Sequence, residues 1–465
     1  MTTSSCNSKT IFQWLLSLGA PLAVMVIPIN ETFTEQMRLY LAITLLGILF
    51  FAFGNIKQTV VAFALPFAYV LSGVTTIDVV FRPWTMTTVW MFIGSFFLIN
   101  ALTRCGLLNR IAYKTIILFG GSYYGIFIGM GFLGLILAII TGGAGTIPMF
   151  ALAIGICQAL KLEKFSKEAT GIFIVAALAG AVPGYVFYNS TTVMILAIGS
   201  SVGGPATIGW FEHFLLGVPL LVYYACCILL AAFLFKPSKK DAAANDKQYF
   251  IERCQEMGPI SADEKKSLAV IILMLLFMMT ATWTGVDTSY GFIIFPLLLY
   301  LPGINVGTEE DLKSFDFGFV LFVAACLGIG MTGGSLGFGD LVGEAFLPLL
   351  QGQSAYVFGG AVWLIGFVLN FLLTPMAIYA SFAAPLTALA MNLGINPLTT
   401  YFLLFFGADQ VIFPYECALY LIFFSYGVVQ MKDFIKYFAL RVFLSLILLF
   451  VVALPFYQFI GYLYI

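Results

Sequence analysis

Four consecutive polar residues interrupt an otherwise apolar segment late in the first half of the chain. They are Asn189, Ser190, Thr191 and Thr192, and they follow Pro183. One amide and three hydroxyls can donate several hydrogen bonds to a carboxylate, and they leave no unpaired ion when the site is empty. We therefore predict that Asn189, Ser190 and Thr191 bind a substrate anion. The same cluster is also compatible with a serine/threonine contact between two helices.

A second interruption, at 141–146, is rich in glycine. Its sequence is Thr-Gly-Gly-Ala-Gly-Thr, and each glycine costs a helix roughly 1 kcal/mol relative to alanine. We predict a hairpin tip whose free N–H groups and threonine hydroxyls face an aqueous site, with half-helices that direct their positive ends at an anion. A glycine-rich face for close helix packing is the alternative. The substrate-binding residues predicted here are Thr141, Gly142, Gly143 and Thr146.

The second half of the chain contains corresponding interruptions. One apolar segment breaks at 373–377 and a later one at 413–417, and both breaks contain proline. Paired broken helices in a duplicated membrane protein indicate a transport site at the bilayer midplane. The substrate-binding residues predicted in the second half are Thr374, Pro375 and Pro414.

Two acidic residues, Asp409 and Glu416, stand at membrane depth around the last break. An intramembrane carboxylate is a functional hypothesis by default, because its charge is costly there. Each acid could bind a cation or a proton, or pair with a basic residue such as Arg441 or Lys436. A carboxylate would repel a dianion unless it were paired or protonated, so we do not expect both acids to contact the substrate.

The chain lacks the motifs that would indicate catalysis. No hydrolase elbow, phosphate-binding loop, HExxH motif or dinucleotide fingerprint occurs in a suitable setting. The eight cysteines show no CxxC spacing, and the single histidine, His213, is expected at a surface or interface rather than as a ligand. We predict a protein that is not an enzyme and has neither cofactor nor metal.

The elements that must position these residues are membrane helices. Hydrophobic residues make up 61% of the chain and charged residues 9%, whereas a soluble domain has roughly 25% charged residues. Apolar runs long enough to cross about 30 Å of hydrocarbon recur along the chain, and they are continuous rather than alternating as in a β-barrel. We predict an all-α, multi-pass protein of the plasma (inner) membrane. Its net charge of −1 gives no reason to expect a nucleic-acid partner.

A polar, lysine-containing segment divides the chain. We predict that 236–266 is a cytoplasmic linker by the positive-inside rule, between an N-terminal half, 1–235, and a C-terminal half, 267–465. Residues 90–107 and 320–337 are similar apolar helices, and each precedes a break. An internal repeat of this kind predicts two halves related by a pseudo-two-fold axis.

Two further parallels support this division. The prolines that close the hairpin breaks are taken to be Pro148 and Pro385, which are 385 − 148 = 237 residues apart, about half of 465. Segments 102–115 and 339–350 are amphipathic and suit helices lying at the membrane interface. In the first of them, the side chains expected to face lipid headgroups are Arg104, Arg110 and Lys114.

This layout resembles the divalent anion/sodium symporter (DASS) family of di- and tricarboxylate transporters over nearly the whole chain. The resemblance rests on the two units of hairpin plus break, on 90–113, and on 424–436, where a small-residue turn precedes a Met-Lys-Asp helix start. It implies two inverted-topology repeats with re-entrant helical hairpins and broken helices. It also implies a homodimer in which a scaffold carries a mobile transport domain, with elevator-type alternating access.

The departures from the family bear on the driving force. The family's hairpin tips read Ser-Asn-Thr and bind both sodium and substrate carboxylate, but here no asparagine stands at either tip and Pro375 has no N–H to donate. We therefore predict a member that does not couple to sodium. Moving a dianion alone would oppose the membrane potential by about 2.3 kcal/mol per charge per 100 mV, whereas exchange of two dicarboxylates is charge-neutral.

The predicted function is dicarboxylate:dicarboxylate antiport, with succinate, malate, fumarate and 2-oxoglutarate as the substrate class. A sodium-coupled or proton-coupled di/tricarboxylate symporter is the alternative. A channel-like or ion-pumping member of a related inverted-repeat fold, with Asp409 and Glu416 as its ion sites, is a third hypothesis. A membrane-embedded enzyme would need a base, a nucleophile or metal ligands, and a scaffold would not need paired breaks.

Overall fold

The structure is a computed structural model. It describes residues 8–53, 55–120, 122–142, 146–237, 247–313, 317–338, 341, 352–371, 375–417, 420, 423 and 427–465. In these residues every regular element is a helix or helical turn, apart from an isolated β-bridge between Ile395 and Tyr464. The predicted all-α class is confirmed. Gly143, Thr374 and all of segment 339–350 except Leu341 lie outside the described residues.

The first half begins with helices of 4 to 19 residues. They are α1 (Ser8–Met25), α2 (Glu35–Phe53), α3 (Gln58–Leu71), α4 (Ile77–Val80), α5 (Thr87–Arg104) and α6 (Leu107–Leu118). The helices that contain and follow the predicted breaks are α7 (Tyr123–Thr141), α8 (Thr146–Ala159), α9 (Lys167–Ala181), α10 (Ser190–Gly199) and α11 (Trp210–Leu234).

The rest of the chain is also helical. The linker and the start of the second half contain α12 (Lys247–Glu256), α13 (Ala262–Thr284), α14 (Tyr290–Leu298), α15 (Glu309–Lys313) and α16 (Phe317–Ser335). The later helices are α17 (Ala355–Leu369), α18 (Pro375–Asn392), α19 (Pro397–Ala408), α20 (Met431–Leu448) and α21 (Leu454–Phe459), with a short π-helix at Leu449–Ala453 between the last two.

Several helices are long and apolar enough to cross a membrane. Among the described residues four qualify singly: Tyr123–Thr141, Lys167–Tyr185, Trp210–Leu234 and Met431–Phe459. The pair α5 and α6 qualifies together but is bent by 69°. Shorter apolar helices, such as α10 and α19, accompany them. Since a bilayer core needs about 20 apolar residues, the architecture agrees with the predicted multi-pass protein.

The same order of elements occurs twice. Corresponding elements start 229 to 232 residues apart, at 87 and 317, 123 and 355, 146 and 375, 167 and 397, and 182 and 414. Helices α7 and α8 both pack on α9, just as α17 and α18 both pack on α19. One large cluster of buried apolar residues extends through both halves. The constant spacing is what a duplicated unit predicts.

The prolines do not correspond as the sequence suggested. Pro148 lies in the first turn of α8, but Pro385 lies inside α18. The helix after the second break starts at Pro375 instead, where proline's missing N–H costs nothing because first-turn N–H groups have no helical partner. The prediction that Pro385 closes the second break is therefore wrong.

Helix α6 leaves the direction of α5 at Gly106, whose φ of 82° is readily adopted only by glycine. The expectation that Arg110 faces lipid headgroups is wrong, because Arg110 is buried against the end of the linker. It forms a bidentate ion pair with Glu264, with nitrogen–oxygen distances of 2.5 and 3.0 Å, and donates to the Gly258 carbonyl. Arg104 pairs with Asp311 at 2.9 Å.

Glu264 lies in the first turn of α13, before the predicted spanning segment. Burial raises the pKa of its carboxyl, but hydrogen bonds from Arg110 and from the Ser261 N–H outweigh that effect. The net pKa of Glu264 is lowered, so its charged form is favoured in the folded protein.

Candidate functional site

The first break, defined here as 182–189, separates α9 from α10. A 3₁₀ turn at Val182–Tyr185 is followed by irregular backbone, and Asn189, which is extended, is the N-cap of α10. Its Oδ1 accepts from the Thr192 N–H at 3.0 Å, and its Nδ2 donates to the carbonyls of Gly184 and Phe187. The amide that the sequence offers to a substrate is thus used to hold the broken backbone, as buried polar backbone requires in a membrane.

The polar cluster after the first break contacts α11. The Thr192 hydroxyl and His213 Nε2 are 2.7 Å apart, and His213 is fully buried. Its ring packs on Phe402 of α19, with centroids 5.0 Å apart. The expectation of a surface or interface position for His213 is wrong. This histidine secures the first turn of α10, next to Ser190 and Thr191.

The first break also meets the second half of the chain. Thr191 Oγ1 lies 3.9 Å from the sulfur of Met376, in the first turn of α18. One turn further along α18, the Tyr379 hydroxyl lies 3.2 Å from that of Tyr185. Three of these side chains, Tyr185, Thr191 and Met376, keep intermediate exposure among mostly buried neighbours. The structure therefore brings Thr191 to the start of α18, beside the predicted residue Pro375.

The first hairpin break is described at its two ends only. Thr141 is buried and donates its hydroxyl to the Leu137 carbonyl at 2.8 Å. Gly142 ends α7 with a φ of 63°, and a Cβ there would lie 3.1 Å from the ring of Phe292 on α14. Gly142 thus allows both the left-handed backbone and this close approach. Thr146 is the first residue of α8.

The second break, defined here as 409–417, contains two carboxylates with internal partners. Glu416 is buried, and its carboxylate accepts from the N–H groups of Ile412 at 3.2 Å and Phe413 at 2.9 Å. Pro414 begins the 3₁₀ turn Pro414–Glu416 and is buried. Glu416 therefore caps this turn, since a carboxylate is a strong acceptor for free N–H groups.

Asp409 pairs with Arg441 of α20. The Arg441 guanidinium is completely buried, bonds the Asp409 carboxylate, and donates to the Asp409 carbonyl at 3.0 Å. It also donates to the hydroxyls of Tyr223 on α11 and of Tyr420. Tyr223 in turn donates to Gln410 at 3.1 Å. The arginine neutralises Asp409 and ties the second break to both α11 and α20.

Sequence reasoning missed three side chains at these breaks. Asn370, at the end of α17, is buried and donates to the carbonyls of Ala408 and Gln410 at 2.6 and 3.2 Å. The other two are Tyr185 and Tyr379. A lone asparagine in the apolar run 355–373 is a signal that could have found Asn370, because polar residues at membrane depth are rare. Tyr185 and Tyr379 could not be recognised in this way, because the chain contains 22 tyrosines and two of them do not stand out.

A sequence model of the family described as "Sodium:sulfate symporter transmembrane region" matches residues 8–463. A "Membrane protein" of Cupriavidus necator is 24% identical over 321 residues, which are 68% of this chain and 61% of that protein. The chain thus spans less than two thirds of the length of that relative. An L-tartrate/succinate antiporter of Shigella sonnei is 22% identical over 383 residues, 79% of this chain and 78% of its own length.

Two solved transporter structures share the fold over nearly the whole chain. The YdaH transporter of Alcanivorax borkumensis has a TM-score of 0.54 and 12% identity, with 97% of each chain covered. MtrF of Neisseria gonorrhoeae, described with a class of antimetabolite efflux pumps, has a TM-score of 0.53 and 14% identity, with 96% of this chain and 95% of MtrF covered. These likenesses concern the fold alone.

Proposed function

The chain belongs to the sodium:sulfate symporter family, the DASS family that its sequence resembles, and from that premise we propose that it exchanges one dicarboxylate for another. The predicted family is confirmed, and with it a membrane transporter that is not an enzyme. The substrates and the exchange mode are the proposal. The succinate, malate, fumarate and 2-oxoglutarate class is retained.

The contact between the first break and α18 carries the proposal. Hydroxyl-bearing, uncharged side chains of both halves meet there, at Tyr185, Thr191 and Tyr379, and two of the three are partly exposed. A hydroxyl such as that of Thr191 can donate to a carboxylate, and a site lined by neutral groups leaves no buried ion when it is empty. We assign Ser190 and Thr191 to substrate contact. Asn189 keeps its place in the site as the residue that shapes the break.

The charges of the second break favour exchange over cation coupling. Asp409 is paired with Arg441, and Glu416 caps a turn, so both predicted ion-site carboxylates have internal partners. A cation that would offset the charge of a dianion thus loses its two clearest ligands in this region. Exchange needs no such cation, because two dicarboxylates crossing in opposite directions move no net charge. The name of the Shigella sonnei relative agrees with this mode.

We place the remaining predicted residues in the same proposal. The hairpin tips would complete the site with Thr141, Gly142, Gly143 and Thr146 from the first half and Thr374, Pro375 and Pro414 from the second. Re-entrant hairpins, elevator-type movement and a homodimer are part of the proposal, because the family resemblance implies them. The two halves 1–235 and 267–465 with the cytoplasmic linker 236–266 remain a proposal too.

Purified protein in liposomes tests the function. Labelled succinate should enter only when the liposomes hold unlabelled dicarboxylate, and the rate should not change when sodium is replaced by choline. Liposomes without protein and liposomes loaded with a monocarboxylate are the controls. Uptake that needs an inward sodium or proton gradient and no internal substrate would establish the symport alternative.

A further inference from the structure

The tyrosine pair Tyr185–Tyr379 joins the two halves of the chain beside the proposed substrate site. Tyr185 lies four residues before Asn189, and Tyr379 lies one turn after Met376 on the same face of α18. Both rings pack on Phe405 of α19, each with a centroid distance of 5.2 Å. The pair thus stands where the first break meets α18 and α19.

The hydrogen bond within this pair is long. The two oxygens are 3.2 Å apart, whereas the hydroxyls of Tyr401 and Thr387, which join α18 and α19 elsewhere, are 2.7 Å apart. Hydroxyl–hydroxyl bonds are commonest at about 2.7–2.8 Å, so the tyrosine pair is a weak one. Tyr379 is 1% exposed and Tyr185 is partly exposed. A third polar group at this point would therefore improve the bonding of both hydroxyls.

The donors and acceptors of the two tyrosine hydroxyls favour an alcohol group over a carboxylate as a ligand. Tyr379 donates to Tyr185, and the Tyr185 O–H has no acceptor among the residues that the structure describes, so the pair keeps one O–H to donate and several oxygen lone pairs to accept. A carboxylate only accepts, so it can use this one donor but supplies no hydrogen for the lone pairs. An alcohol group donates and accepts, and it matches both properties of the pair.

We infer that Tyr185 and Tyr379 form a specificity site for the hydroxyl group of a 2-hydroxy dicarboxylate. This inference rests on the proposed function and names a preference within its substrate class. The carboxylates bind at the polar cluster and the tips, and the alcohol group binds the tyrosine pair. A site built around a substrate hydroxyl disfavours the analogue that lacks it, because the polar groups of the site are then left under-bonded.

Competition between two substrates tests the inference. Exchange of a labelled dicarboxylate is measured in proteoliposomes with unlabelled L-malate or succinate as competitor, for the unmodified protein and for Y185F, Y379F and Y401F. We expect malate to compete better than succinate in the unmodified protein. Y185F and Y379F should reduce that preference by roughly three- to tenfold, the value of one net hydrogen bond. The change should appear in the KM for malate, with the KM for succinate kept.

Y185F and Y379F keep their rings on Phe405. The matched control is Y401F, which removes a tyrosine hydroxyl that joins α19 to α18 away from the tyrosine pair. An unchanged preference in Y185F and Y379F, or an equal loss of both substrates, would overturn the inference while leaving the exchange function intact. A complete lack of dicarboxylate exchange by the unmodified protein would instead overturn the proposed function, and this inference with it.

Discussion

The two breaks occupy equivalent places in the repeated element order, yet they are stabilised by different chemistry. The first break is held by a neutral amide, that of Asn189, and by the contact of Thr192 with His213. The second break contains a buried ion pair, Asp409–Arg441, and a capping carboxylate, Glu416. The free polar groups of the first break are uncharged, and the charges of the second break are internally satisfied.

The difference indicates which break can meet an anion. Hydroxyls near Thr191 can donate to a substrate without a charge of their own, and the side chain is partly exposed. At the second break the strong donor, Arg441, already serves four acceptor atoms and is fully buried. In the proposed function, the region of the first break therefore contacts the substrate, whereas the polar groups of the second break stabilise the fold.

Removing one partner of the buried pair should have the largest effect on stability. We expect Arg441→Met to lower the free energy of unfolding by about 3–5 kcal/mol, because it leaves the Asp409 charge buried without a partner. Thermal unfolding in detergent measures the change. The double variant D409N/R441M should recover much of the loss. A single variant as stable as the unmodified protein would show that the second break does not depend on this pair.

A negative charge at Thr191, in the first turn of α10 just after the first break, should strongly weaken substrate binding. We expect Thr191→Asp to raise the KM for a dicarboxylate by about a hundredfold or more, since two like charges 4 Å apart repel by about 4 kcal/mol at an effective dielectric constant of 20. Thr191→Asn is the matched neutral control and should change KM far less. Equal KM values for the two variants would remove Thr191 from the substrate site.

Glu416→Gln should have a milder effect on stability, and it distinguishes a capping role of Glu416 from a role in ion binding. The glutamine oxygen can still accept one of the two backbone N–H groups, so we expect a loss of about 1 kcal/mol in stability. Exchange should persist and stay independent of sodium and of a proton gradient. Abolished exchange in a variant that unfolds at nearly the normal temperature would instead make Glu416 a coupling residue.

Loss of the Glu264 charge at low pH should have the smallest effect on stability. Since Glu264 lies outside both breaks, it is a reference for the effects predicted at the breaks. Because the folded-state pKa of Glu264 is lowered, its charge contributes stability that is fully present above the ordinary glutamate value of about 4.3 and is lost as the pH falls through the lower folded value. The unfolding temperature should therefore drop more steeply below pH 4.3 in the unmodified protein than in Glu264→Gln. Parallel pH profiles would exclude this contribution.

Much of the fold could be predicted from the sequence. Continuous apolar runs and their interruptions depend on local composition, so the helices and the break at 182–189 follow from residues such as Pro183 and Asn189. The candidate partner Arg441 also came from the sequence, because a buried acid needs a base. The cap made by Glu416 could not be foreseen, since nothing local distinguishes a capping carboxylate from an ion ligand.

Contacts between segments that are distant along the chain could not be predicted from the sequence. The meeting of Tyr185 with Tyr379 joins residues 194 positions apart, and the burial of His213 and Arg110 depends on α19 and on the end of the linker. Pro385 was misplaced because proline is common both at helix starts and inside membrane helices. Such errors arise where tertiary packing, rather than local preference, decides the position of a side chain.

The burial of His213 has a practical consequence for spectroscopy. The chain contains one histidine, and its Nε2 lies 2.7 Å from Thr192, at the edge of the first break. Protein purified without a histidine tag and labelled with ¹⁵N-histidine would therefore give the signals of a single imidazole ring. That ring sits beside the candidate site and requires no engineered label, so its resonances could follow ligand binding in the natural sequence.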